Sequence, residues 1–397
     1  MSLGWALRGF IGGGPLGAMI PGALVALALA LLMKLPPGVA ARAAAFGAVG
    51  VGFGGEMTYG QTVGFAGQAA TMGWGLLGLA VKGGVWGLLG GAVAAAGFVR
   101  GAFSSQRLVG AFALMAAACW AGWRLINQPK VIYFSNLADR PREEVWAGLL
   151  AAGLAVLLVL RHPVVTRFSL LAAAGGFLGF GGGGLFISLH RIVLPEARWL
   201  PSWKLMEYSF GLLFGLALAA AAWGARETLR READEEVAPP EWPQALGASV
   251  FTIFASVFMA ETLGVRFEYL LVGAMLLSTL LAARWLAWQI ALTMTFACFA
   301  WDLAENVCER MKLAPMEAGW VFVAAGSLWF WRMVDRRARS AADMTRSAFH
   351  LLLWTAFAAA TVKTAAQMMA QFAFPSEYPL FAAAALGVWW MQRRVSD

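Results

Sequence analysis

Apolar runs of membrane-spanning length recur along almost the whole chain, and short polar connections separate them. Roughly 20 consecutive apolar residues cross the hydrocarbon core of a bilayer as a helix. The pattern therefore predicts an all-α integral membrane protein with about 13 transmembrane helices by this length rule. Several of the spans are short enough to be tilted or incomplete. The predicted spans lie near 16–33, 40–55, 78–98, 107–125, 145–161, 167–187, 205–223, 245–262, 268–283, 286–303, 317–334, 346–369 and 378–392.

The first part of the chain differs from an ordinary span. Residues 3–33 contain one early charge, Arg8, and the run Gly12-Gly13-Gly14-Pro15. Glycine and proline together interrupt helices, so we expect an interfacial or kinked segment that leads into the first span. No small-residue cleavage site precedes that span, which argues against a cleavable signal peptide.

A short pattern occurs three times: a glutamate precedes an apolar helix that ends in arginine. The copies run from Glu144 to Arg161, from Glu268 to Arg284 and from Glu377 to Arg393. An aromatic residue near the start of an earlier helix recurs in nearly the same register, at Trp86, Phe210 and Trp320. We interpret the chain as an N-terminal segment and first helix, 1–39, followed by three parallel four-helix repeats at 40–162, 163–285 and 286–397. The alternative is that alanine- and leucine-rich helices superimpose without a common origin.

The amino-acid composition indicates which environment surrounds these helices. The sequence is 60% hydrophobic and 13% charged, about half the charge of a typical soluble domain. A lipid bilayer is therefore the expected partner of much of the surface, and the 19 tryptophans suit its interfaces. The 3 cysteines lack metal-ligand spacing, so no metal site is expected, and no motif identifies a cofactor.

The net charge of +8 first suggests a nucleic acid partner, but the basic residues lie in short connections between apolar helices. The positive-inside rule places such connections in the cytoplasm. We therefore expect no nucleic acid partner, and a bacterial inner-membrane protein whose N-terminus is outside and whose C-terminus is cytoplasmic. The polar stretch 225–243 is expected to be a cytoplasmic linker. The basic connections hold Lys34 and Arg42, Arg100 and Arg107, Arg161 and Arg167, Arg226 to Arg231, Arg332 to Arg339, and Arg393 and Arg394.

Polar and ionisable residues gather at the opposite, extracytoplasmic ends of the predicted spans. Such residues are costly in a bilayer and raise a functional question by default. Asp302, Glu305 and Asn306 share one helix face, and paired carboxylates suit a proton carrier, a general acid or base, or a cation site. Ion pairs that merely join the repeats are the structural alternative. The candidate substrate-binding residues are Glu56, Tyr59, Gln61, Lys82, His190, Glu207, Asp302, Glu305, Asn306, Glu317 and Lys363.

Two glycine runs, at 50–55 and 179–184, accompany these residues. Glycine permits close helix packing, and it also permits a helix to break where a polar cavity satisfies the backbone. Both interpretations stay open, and the apolar stretch 56–80 is a candidate re-entrant segment. Glu144, Glu268 and Glu377, in contrast, are interpreted as helix N-terminal caps, since the helix dipole stabilises a carboxylate there.

Three functional hypotheses follow. The first is a transporter for a small polar or ionic substrate, with the site between repeats near the extracytoplasmic side. The second is an integral membrane enzyme that acts on a lipid or cell-envelope precursor at the outer leaflet, with Asp302, Glu305 or Glu207 as general base and His190 assisting. The third is a membrane scaffold whose ion pairs only hold the helices together.

Overall fold

The computed structural model describes residues 1–136, 144–197, 199–233, 284–340, 343–370 and 374–394. Within these residues the regular structure is helical, and no strand occurs. The predicted spans 245–262 and 268–283, the Glu268 copy of the repeated pattern and most of the predicted linker 225–243 lie outside the described residues.

The helices follow one another with mostly short connections. The first ten are α1 Ser2–Ile11, α2 Gly14–Leu32, α3 Pro37–Gly54, α4 Gly60–Ala66, α5 Met72–Phe98, α6 Ser105–Gly122, α7 Trp146–Leu160, α8 Pro163–Ser188, α9 Ser202–Gly224 and α10 Arg226–Glu232. Then come α11 Arg284–Trp288, α12 Thr295–Glu305, α13 Met316–Ser340, α14 Met344–Met369 and α15 Tyr378–Arg394. Wider π-helical turns extend α6, α8 and α12 and join α11 to α12, at Trp123–Asn127, Leu189–Val193, Asn306–Arg310 and Gln289–Met294.

Seven helical segments in the described part of the chain are long and apolar enough to cross a membrane. All predicted spans within the described residues fall on helices, but α7 and α15 have only 15 and 17 residues. The all-α membrane class therefore stands on seven candidate spans, while the count of thirteen and the three repeats are not confirmed. The seven segments are Gly14–Leu32, Met72–Phe98, Ser105–Asn127, Pro163–Val193, Ser202–Gly224, Leu286–Arg310 and Met344–Met369.

Glycines at four-residue spacing bring α5, α8 and α9 into close contact. On α5, a Cβ at Gly87 would lie 1.9 Å from the carbonyl oxygen of Ala172 on α8. On the opposite face of α8, a Cβ at Gly179 would lie 2.9 Å from the Cα of Phe210 on α9. The glycine run 179–184 therefore serves helix packing, and α8 continues unbroken through it.

The first helix lies inside the bundle. Helix α1 has 10 residues, and Trp5, Ala6 and Leu7 on it are 0% exposed. Trp5 packs edge-on against Trp86 of α5 and Phe210 of α9, with ring centroids 4.6 and 4.5 Å away. At about 1.5 Å per residue, α1 covers roughly half of a bilayer core. The sequence predicts an interfacial or kinked segment here. The structure has a buried half-length helix that is interrupted before α2, so the interruption agrees with the kinked alternative and the burial does not agree with the interfacial one.

The basic connections meet at one end of the bundle. Arg107, at the start of α6, donates to the carbonyl of Leu160 at the end of α7 at 2.6 Å. Arg230 of α10 donates to the carbonyl of Met33, just after α2, at 3.3 Å. The break between α1 and α2 lies at the opposite end of α2, so the molecule has a basic end and a second end at which this break lies.

Candidate functional site

Two helix interruptions touch each other at the end of the bundle away from the basic connections. The first separates α1 from α2, where Gly13 and Gly14 have φ angles of +91° and +59°, a backbone region that favours glycine. The second separates α3 from α4. They meet at Gly55, where a Cβ would lie 2.4 Å from the Cα of Pro15. A side chain at Gly55 would force the two interruptions apart.

A cavity of about 330 Å³ lies between the interruptions. At roughly 30 Å³ per water, this volume corresponds to about eleven waters or a small solute. The first turns of α9 contribute Trp203 and Glu207 to its wall. The wall is formed by Arg8, Gly9, Gly12, Gly13, Gly14, Pro15, Gly55, Glu56, Met57, Thr58, Tyr59, Gly60, Trp203 and Glu207.

Arg8 contributes a buried cation to this wall. It is 2% exposed, and its guanidinium carbon lies 4.8, 5.5 and 5.7 Å from the ring centroids of Trp5, Trp86 and Tyr59. Its two terminal nitrogens donate to the Tyr59 hydroxyl at 3.3 and 3.4 Å. Burial raises the pKa of Tyr59 to about 12, with Arg8 lowering it and Glu207 raising it. The Tyr59 phenol is therefore neutral at physiological pH.

Glu207 contributes a carboxylate that is 1% exposed. Lys204 donates to it at 2.7 Å and the Trp203 indole at 3.1 Å, both from the preceding turn of α9. The carboxylate also lies against α1, since a Cβ at Gly9 would lie 2.2 Å from its Oε1. Glycine at position 9 therefore lets a charged side chain sit between α1 and α9.

A second polar cluster holds the end of α1. Lys363 of α14 donates to the carbonyls of Phe10 and Ile11 and, at 3.2 Å, to the side-chain oxygen of Asn306. The Asn306 amide donates to the Ile11 carbonyl at 3.0 Å. A cation at the C-terminal end complements the helix dipole. Asp302, on the same turn as Asn306, packs against Gly12 in the cavity wall.

A third cluster surrounds Lys82, which is 1% exposed. Its ammonium donates to the Thr58 carbonyl at 2.6 Å, to the Thr62 hydroxyl at 2.8 Å and to Glu144 at 2.8 Å. Glu144 was interpreted above as a helix cap. That interpretation is wrong: the carboxylate is buried as the partner of Lys82, and α7 has no side-chain cap.

The structure thus brings many of the predicted binding residues together and leaves others apart. Glu56, Tyr59 and Glu207 line the cavity, whereas Lys82, Asp302, Asn306 and Lys363 lie in the two neighbouring clusters. The Gln61 side-chain oxygen accepts a hydrogen bond from the Asn136 backbone N–H at 3.0 Å. A ring nitrogen of His190 forms a hydrogen bond with the Ser202 hydroxyl at 2.8 Å. Glu305 is half-buried and Glu317 exposed, and neither belongs to the cavity wall.

Arg8, Trp203 and Lys204 are site residues that the sequence did not identify. The available signal was the isolated Arg8 in an apolar stretch just before three glycines. The buried ion pairs Lys82–Glu144 and Lys204–Glu207 each lie within one predicted repeat, so they do not join repeats as the structural alternative supposed.

No protein-family model, no curated protein and no solved structure matches this chain. Among the described residues, no group of three or more His, Cys, Asp or Glu side chains is placed to hold a metal ion. The functional inference therefore comes from the cavity and its neighbours.

Proposed function

We propose that this protein is a polytopic membrane transporter for a small polar or ionic solute, and that the solute binds in the cavity between the two helix interruptions. The observation that carries the proposal is the meeting of the α1–α2 and α3–α4 interruptions around a space walled by Arg8, Glu56 and Glu207. Helix interruptions at membrane depth are tolerated where the freed backbone lines a polar cavity.

Interrupted helices that surround a polar site are a recurring device of secondary transporters. The N-terminal end of α2 lies in the cavity wall at Gly13 and Gly14, and the N-terminus of a helix attracts an anionic solute. A scaffold has no need of such a cavity, because buried charges that only hold helices together pair with each other. The cavity volume of about 330 Å³ suits a small solute.

The orientation belongs to the same proposal. The basic connections lie at the end opposite the cavity, so the positive-inside rule places the cavity near the extracytoplasmic side of a bacterial inner membrane, with a cytoplasmic C-terminus. Thirteen spans and three four-helix repeats complete this proposed architecture. Trp86 and Phe210, at equivalent positions of the first two proposed repeats, both pack on Trp5, whereas Trp320 of the third packs on Trp301.

The test is charge movement or uptake in proteoliposomes, measured for a panel of sodium phosphate, sodium acetate, glycine, glutamate and choline chloride. At least one solute is expected to give a signal that empty liposomes lack. Glu207→Gln removes a cavity carboxylate and is expected to reduce this signal at least tenfold. Glu227→Gln is the matched control, because the Glu227 side chain is 87% exposed at the basic end, and it is expected to leave the signal unchanged.

A panel without any signal above empty liposomes would contradict the transporter. Equal signals in the Glu207 and Glu227 variants would remove the cavity from the transport path. Chemical conversion of an added lipid-linked precursor without uptake would instead favour the membrane-enzyme alternative.

A further inference from the structure

Arg8 has hydrogen-bonding capacity that its surroundings do not use. A guanidinium carries five N–H donors, and the two terminal nitrogens of Arg8 direct one contact each to the Tyr59 hydroxyl. In the described part of the chain its Nε has no acceptor, and no carboxylate there pairs with it. A buried cation whose N–H donors lack acceptors costs folding free energy unless an anion binds it.

Arg8 borders the cavity with a charge that no carboxylate in the described part of the chain pairs with. The rings of Trp5, Trp86 and Tyr59 lie within cation–π distance of its guanidinium carbon. The N–H groups of a guanidinium match the oxygens of a carboxylate or phosphate.

The N-terminus of α2 adds a second anion-binding feature to the same cavity. Gly13 is its N-cap and has no side-chain cap, and Gly13 and Gly14 both line the cavity. The N–H of Gly14 lacks an acceptor within the helix, whereas Pro15 has no N–H. The helix dipole gives this end a partial positive charge. Such a terminus favours carboxylate or phosphate oxygens.

Two of the negative features near the cavity already have partners. The C-terminal carbonyls of α1 accept hydrogen bonds from Lys363 and Asn306, and the Glu207 carboxylate accepts from Lys204 and Trp203. Glu56 is the other carboxylate in the wall.

We infer that the solute is a small oxyanion, either a carboxylate or a phosphate, held by the Arg8 guanidinium and the N-terminal end of α2. This inference rests on the proposed function, because it names the class of solute for the same cavity.

The test uses the full-length protein with Gly60→Cys in a background without the native cysteines. Gly60 lines the cavity, and a Cβ there meets nothing within 4 Å. Sodium phosphate and sodium acetate are compared with choline chloride and sodium chloride at equal ionic strength. At least one of the two oxyanions is expected to slow thiol labelling at least threefold in a saturable way, and the chloride salts are not.

Adding Arg8→Gln to the Gly60→Cys protein is expected to raise the oxyanion concentration that halves the labelling rate at least tenfold. Arg8→Lys is expected to raise this concentration less, because lysine keeps the positive charge but has fewer N–H donors than the guanidinium. Arg339→Gln is the control, since Arg339 is exposed at the basic end. Labelling that neither oxyanion slows, or protection unchanged by Arg8→Gln, would overturn the inference. If the Arg8 variants do not fold, the Gly60→Cys protein alone decides.

The two proposals fail separately. Oxyanion protection without uptake of any solute in proteoliposomes would remove the transporter and keep the anion site. Uptake of choline without oxyanion protection would keep the transporter and remove the anion site.

Discussion

The Lys82 ammonium shows how a charged residue is accommodated in apolar surroundings. Its three acceptors satisfy the three N–H donors of an ammonium. Its partner Glu144 also accepts from the Phe134 amide at 3.0 Å and the Ser135 hydroxyl at 2.9 Å. Removing only one partner of this pair is therefore costly in folding free energy, because the other charge stays buried without a counterion.

Lys82→Met is expected to lower the free energy of unfolding by about 3–5 kcal/mol, since it leaves Glu144 buried without a counterion. The double variant Lys82→Met with Glu144→Met is expected to lose less than the sum of the two single variants. Unfolding in mixed detergent micelles measures all three. Arg339→Met is the control: it breaks an exposed pair with Asp335 and is expected to cost less than about 1 kcal/mol. Similar losses for Lys82→Met and Arg339→Met would contradict the buried pair.

Tyr59 is the second residue whose surroundings give a measurable consequence. Burial is the main cause that raises its pKa to about 12; Arg8 lowers the pKa and Glu207 raises it by smaller amounts. Because the folded protein holds the phenol proton more tightly than the unfolded chain, Tyr59 stabilises the fold below pH about 10. This contribution disappears as the pH rises through the folded value of about 12.

The ultraviolet absorbance of tyrosinate tests this directly. The titration curves of the native protein and of Tyr59→Phe are expected to coincide up to pH about 11 and to separate only above it. In denaturant, where Tyr59 is solvated, the two curves are expected to separate near pH 10, which serves as the control. A native-state separation near pH 10 would show that Tyr59 is not buried beside Arg8.

Glycine acts differently in the different helices. On α5 and α8 it allows the backbones to touch, whereas at Gly55 it allows two helix interruptions to meet. Four-residue spacing in the sequence indicates the first use. The second depends on a contact between Gly55 and Pro15, which lie far apart in the chain, and no local pattern reveals it.

Gly87→Ala is expected to destabilise the protein by about 1–3 kcal/mol, because the new methyl group would overlap the carbonyl oxygen of Ala172 and force α5 away from α8. Gly182→Ala, in the packed run on α8, is the control, since a Cβ there meets nothing within 4 Å. The control is expected to be neutral or slightly stabilising, as alanine favours helix. Thermal denaturation in detergent measures both, and equal effects would contradict the close α5–α8 contact.

Most of the helices and several cavity residues could be predicted from the sequence, and the physical reason is different for the helices and for the cavity residues. Apolar runs and basic connections depend on neighbouring residues, so the positions of the helices follow from the chain. Glu207 was identified because a carboxylate within an apolar helix is conspicuous. Arg8 was not, because its importance comes from Trp5, Trp86 and Tyr59, which only the packing of α1 between other helices brings together.

At the scale of the whole molecule, the two ends differ in charge and in structure. The proposed orientation places Ala69, in the connection before α5, outside the cell and Ala102, at the basic end, inside; both are exposed. In a background without native cysteines, an impermeant maleimide is expected to label Ala69→Cys in intact cells. Ala102→Cys is expected to react only after permeabilisation. The reverse result would invert the orientation, and labelling of both in intact cells would contradict a spanning arrangement.

The most direct test of transport through the cavity is the effect of filling the cavity on flux. For the panel solute with the largest signal, flux is measured in proteoliposomes before and after a bulky anionic thiol reagent modifies Gly60→Cys. Ala69→Cys, which is exposed but outside the cavity wall, is the matched control. Modification is expected to abolish flux in Gly60→Cys and to leave the flux of Ala69→Cys unchanged. Full flux through a completely modified Gly60→Cys protein would contradict transport through the cavity.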